Sequence, residues 1–121
     1  MEKRHSFLRY ITICVMLIFV VNVLADNKVA LVIGNEDYSD SNFQALSTPV
    51  NDAKEINQKL KKLGYETIPL YNASREEILN ALNAFDKKTK KAEVGIFYYS
   101  GHATNIGNGH FLVPCKTTFH S

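Results

Sequence analysis

The sequence predicts an α/β fold, a three-layer sandwich of helices around a mainly parallel sheet. Two observations carry this reading. Three short apolar runs, residues 28–33, 65–71 and 94–99, alternate with two stretches of helical periodicity. The intervening segments are also long enough for crossover helices, so the order β-α-β-α-β implies parallel strands joined by right-handed connections.

Each element has its own justification. Lys28-Val-Ala-Leu-Val-Ile33 shows no polar alternation and ends at Gly34, which predicts a strand buried on both faces. Residues 34–47 are polar and rich in turn formers, a loop. Thr48 is the expected N-cap of the first helix, with Pro49 at its first position. Ala53, Ile56, Leu60 and Leu63 recur at helical spacing as its apolar face, and Gly64 ends it. Pro69 has no amide proton for a ladder, so residues 65–71 predict an edge strand. Ser74-Arg-Glu-Glu77 is a capping box that opens the second helix, with Ile78, Leu82 and Phe85 expected on its buried side. Lys87, Lys88, Lys90 and Lys91 read as a solvated last turn suited to the helix dipole. Val94-Gly-Ile-Phe-Tyr-Tyr99 is the third strand. Asn108-Gly109 then signals a hairpin running into Phe111-Leu-Val113.

Composition excludes some functions. Lys3, Arg4 and Arg9 are three of the 14 basic residues and Glu2 is one of the 12 acidic ones, so residues 26–121 carry 11 of each. A neutral body argues against nucleic-acid binding, which needs a basic face. No His-x-x-His or Cys-x-x-Cys spacing occurs, so no metal is expected, and residues 33–36 are not a phosphate loop, so no nucleotide cofactor is expected either.

The N-terminus combines Lys3, Arg4 and Arg9 with the uncharged run 10–25, in which Val23 and Ala25 stand at the −3 and −1 positions for cleavage before Asp26. This predicts a signal peptide over residues 1–25 and a secreted or periplasmic product. The alternative is a membrane anchor, but the run has 16 residues, against about 20 for a span.

Chemistry is expected at the carboxyl ends of the strands, where ligands bind in open parallel sheets. Ser100-Gly101-His102-Ala103 follows the third strand there. An imidazole titrates near neutrality, which suits general acid–base work, and Gly101 lets the backbone approach closely. Position alone leaves two readings open: a catalytic histidine, or one that simply bonds its neighbours. His110 in the hairpin and His120 near the terminus read as surface residues.

Several segments together resemble the caspase-like cysteine-peptidase family, in its large-subunit (p20) domain. They are Val29-Ala-Leu-Val-Ile-Gly-Asn35 with Tyr38, Pro49-Val-Asn-Asp-Ala53, Leu63-Gly-Tyr65, Phe97-Tyr-Tyr-Ser-Gly-His-Ala103 and Phe111-Leu-Val-Pro114. The form Ile-Gly-Asn-x-x-Tyr is closer to bacterial-type and other non-animal members than to apoptotic caspases. The resemblance implies a flavodoxin-like topology over residues 26–121 and a cysteine-type endopeptidase acting on peptide or protein substrates. It implies His102 as the catalytic histidine, with Gly101 and Ala103 as backbone support for the oxyanion.

The sequence departs from the family pattern in three respects. The family cysteine lies about 50 residues after the histidine, but 19 residues follow His102 here. Cys115, 13 residues on, matches no catalytic motif, so the domain is expected to be incomplete at its C-terminus, truncated before the nucleophile. The segment Phe43-Gln-Ala-Leu46 has no arginine, so cleavage after aspartate is not supported. The export signal also differs from the cytosolic setting of apoptotic caspases. The alternatives are a catalytically inactive caspase-like module that binds partners and, on fold alone, a flavodoxin-like ligand binder. Without a further strand beside it, Val94-Gly-Ile-Phe-Tyr-Tyr99 is an apolar edge available for pairing.

Overall fold

The structure is a computed structural model that describes residues 27–38 and 43–116. The expected signal segment and His120 lie outside the described residues. Strand β1 (Lys28–Gly34) is the centre of a three-stranded sheet, with β2 (Glu66–Tyr71) and β3 (Val94–Ser100) parallel on either side. Ala30 through Ile33 have no exposed surface, as a strand with a neighbour on each edge and a helix on each face requires.

The two helices, α1 (Pro49–Lys62) and α2 (Arg75–Thr89), cover opposite faces. Alternation along β1 sorts the core accordingly. Ala30 and Val32 pack with Ala53 and Leu60 of α1, whereas Leu31 and Ile33 pack with Ile78 and Ala81 of α2. The chain leaves β1 towards one edge and crosses back over it to reach β3. Two crossovers of one hand in opposite directions put their helices on opposite faces, which gives the three expected layers.

Local chemistry fixes most of the ends. Gly64 takes φ +88° after α1. Ser74 accepts the Glu77 amide proton and the Glu77 carboxylate returns to Ser74, closing the capping box of α2. Strand β2 is at the sheet edge, as Pro69 demands.

Thr48 is the N-cap residue of α1, as expected, whereas three other expectations are corrected. The Thr48 side chain makes no capping bond; the Glu36 carboxylate accepts the Val50 amide proton instead, at 3.2 Å. This works because β1 ends directly against α1, and an anion there also meets the positive end of the helix. Leu63 and Leu82 are exposed, at 63% and 36%. Leu63 falls at the helix end, beyond the sheet, while Ala81 takes the buried place on α2 and Asn57 joins the buried side of α1. The hairpin of β4 (Ala103–Ile106) and β5 (Gly109–Leu112) turns at Gly107-Asn108, because Ile106 pairs with Gly109 and Gly107 supplies φ +60°.

Candidate active site

The carboxyl ends of β1 and β3 are tied together and then diverge. Asn35 donates its amide proton to the Ser100 carbonyl at 2.9 Å, which extends the pairing by one step. The Asn35 side chain is fully buried, accepting from the Ala73 amide at 2.9 Å and donating to the Ala73 carbonyl at 3.4 Å. A buried amide satisfied on both sides locks the end of β1 to the β2–α2 turn. Asn72, in the left-handed region at φ +53°, accepts the Glu36 and Asp37 amide protons through its side-chain oxygen, each at 3.1 Å. The loop after β1 is therefore held from below, and it delivers Tyr38 under the end of β3.

His102 stands where the sequence placed it, directly after β3. Its ring leans on two aromatic faces, Tyr38 with centroids 4.7 Å apart and Phe43 at 5.4 Å. Its Nε2 lies 2.6 Å from the Gln44 main-chain oxygen. A carbonyl oxygen only accepts, so Nε2 carries the proton. In the neutral ring Nδ1 is then the unprotonated, basic nitrogen.

The main chain of His102 is held as firmly as the ring. Its amide donates to the Tyr38 hydroxyl at 3.0 Å, and its carbonyl accepts from the Tyr99 hydroxyl at 2.7 Å and the Val113 amide at 2.9 Å. Gly101 is required by this crowding: a Cβ there would stand 2.6 Å from the Tyr99 hydroxyl and 2.8 Å from that of Tyr38. Ala103 opens β4 and does not adopt a positive φ, so its amide is presented without the backbone freedom of glycine.

Cys115 is 1% exposed and packs with Tyr38 and Val113. Its amide donates to the Ala73 carbonyl at 2.9 Å, and burial pushes its thiol pKa up. A protonated, enclosed thiol is a packing residue and not a nucleophile. His110 sits on the exposed hairpin, its Nδ1 2.6 Å from the Asn105 side-chain oxygen.

Sequence reasoning missed the parts contributed by Gln44, Phe43 and Tyr99. Gln44 acts through its carbonyl, which any residue possesses, so composition carries no trace of it. Tyr99 was legible as a strand residue within the segment of residues 97–103, and Tyr38 only as part of the Ile-Gly-Asn-x-x-Tyr pattern; neither showed a contact with His102. An apolar hollow of about 260 Å³ lies elsewhere, lined by Arg75, Ile78, Leu79, Leu82, Leu112 and Pro114, and contains none of the residues around His102.

Two curated proteins are similar in sequence. The mucosa-associated lymphoid tissue lymphoma translocation protein 1 of Homo sapiens is 36% identical over 92 residues, which is 75% of this chain and 11% of the human protein. Its Mus musculus homologue gives the same identity and the same shares. The chain thus spans about a tenth of the length of the curated relatives it matches. The family model described as the caspase domain, of the C14 peptidases, matches residues 27–121, and the chain belongs to that family.

Proposed function

We propose that this domain carries the histidine half of a cysteine-type endopeptidase site, with His102 as the proton carrier. The observation that supports it most is the Nε2 contact with the Gln44 carbonyl, which makes Nδ1 the base. Nδ1 takes the proton from a cysteine thiol. The thiolate attacks the scissile carbonyl of a peptide or protein substrate, and the imidazolium returns the proton to the leaving amine. The Gln44 oxygen stabilises the imidazolium while the charge is present, and Tyr38 and Phe43 limit rotation of the ring. The main chain at Gly101 and Ala103 supports the oxyanion. Cys115 is enclosed and is not assigned as the attacking thiol. Export through the N-terminal segment is part of the same proposal.

The test measures peptide hydrolysis by the protein with and without one substitution. His102→Ala is expected to lower peptide hydrolysis by about 100- to 10,000-fold. Hydrolysis unchanged in that variant removes His102 from the mechanism. A second reading, a catalytically inactive module that binds partners, is favoured by the lack of an accessible thiol among the described residues. It becomes the better reading if the protein cleaves no peptide and captures an intact protein instead.

A further inference from the structure

The hydroxyls of Tyr38 and Tyr99 take no part in the proton chemistry above, yet both converge on the main chain of one residue. The Tyr38 hydroxyl accepts the His102 amide proton at 3.0 Å and donates to the Val113 carbonyl at 3.1 Å. The Tyr99 hydroxyl donates to the His102 carbonyl at 2.7 Å and also lies 3.0 Å from the Val113 carbonyl. The two hydroxyl oxygens are 3.3 Å apart. Each phenol has one proton, and the shortest contact assigns that of Tyr99 to His102, which leaves that of Tyr38 for Val113.

We propose that Tyr38 and Tyr99 are positioning residues for His102, a pair of hydroxyls that grips the peptide groups before and after it and ties them to the exit of the hairpin at Val113. The role assigned to the pair rests on His102 being the proton carrier; the geometry of the grip does not.

The need for such a grip follows from the chain itself. His102 comes after a glycine, the residue with the widest backbone freedom, and a base must be held to within about 0.5 Å of its working position. Gly101 is nevertheless what lets the grip close, because any side chain there would collide with both hydroxyls. Buried phenols need partners, but one partner anywhere would satisfy each. Here both partners lie on the same two residues, His102 and Val113. Val113 itself is 2% exposed and donates its amide to the His102 carbonyl. The hairpin therefore has to be docked for the histidine to be held. Burial raises both phenols above their ordinary range, so both remain protonated donors.

Tyr38→Phe and Tyr99→Phe in the full chain test this, with Tyr98→Phe, which packs on the α1 face, as the control. Each removes one oxygen and keeps the ring. Amide hydrogen exchange at His102 is expected to quicken by about tenfold or more in Tyr38→Phe while that at Ala30 and Leu31 holds. In protein that hydrolyses peptides, both variants are expected to lower kcat with KM unchanged, and Tyr98→Phe to change neither. Wild-type exchange at His102 in Tyr38→Phe overturns the proposal. So does exchange that quickens equally at all three amides, since that is general loosening and not a local grip. If His102→Ala hydrolyses peptides normally, the protease reading fails separately, and the exchange measurement still decides whether the grip exists.

Discussion

The Nε2 atom of His102 and the main-chain oxygen of Gln44 are 58 residues apart in sequence and 2.6 Å apart in space. The pairing fixes which ring nitrogen is basic. In ¹⁵N NMR of the neutral ring, Nε2 is expected in the protonated range and Nδ1 in the unprotonated one. Gln44→Ala should leave both unchanged, because the acceptor belongs to the main chain. The opposite tautomer removes the base assigned to the mechanism.

Cys115 makes a prediction with a definite sign. Burial holds its folded pKa above the ordinary 9.0, so the unfolded thiol releases its proton first as pH rises. The stability it contributes is whole below about pH 9 and is lost as pH climbs towards the folded pKa. Tyr38 and Tyr99, also raised from 10.0, act in the same direction at higher pH. Tm is therefore expected to start falling near pH 9, with the first part of the fall absent in Cys115→Ala. That variant should cost roughly 1 kcal/mol. The native thiol should resist a disulfide reagent that modifies it rapidly in denaturant; rapid native labelling contradicts the packing role.

Gly34 ends β1 with no room beside it. A Cβ there would lie 2.5 Å from the Pro49 carbonyl oxygen and 2.7 Å from the Ala53 Cβ. Both neighbours are fixed by α1, so relief requires the helix to move. Gly34→Ala is expected to destabilise by about 1–3 kcal/mol, read from denaturant unfolding. Gly107→Ala provides the contrast: its Cβ would meet nothing within 4 Å, and any cost there comes from the turn's positive φ alone.

Strand β3 occupies the second sheet edge and shows Val94 and Phe97 at 40% and 45% exposure. Such an edge is a template for pairing. The 121-residue chain is expected to self-associate in sedimentation as concentration rises, and Phe97→Lys to suppress this. Association unaffected by that variant would place the contact elsewhere.

What the sequence determined by itself was local. An unbroken apolar run makes β1 a doubly covered strand, Pro69 sends β2 to an edge, Ser74 and Glu77 cap a helix, and Gly101-His102 follows the third strand. Each depends on residues within a turn or a strand of one another, and periodicity records such relationships. The tertiary structure alone decided the rest. Glu36 supplied the side-chain acceptor for α1 that Thr48, at the N-cap, does not, Leu63 and Leu82 turned to solvent, and Tyr38, Gln44 and Tyr99 met at His102. The Tyr38 and Gln44 contacts with His102 span 64 and 58 residues and use a hydroxyl and a carbonyl that carry no pattern along the chain. They arise only because parallel pairing brings the carboxyl ends of β1 and β3 side by side.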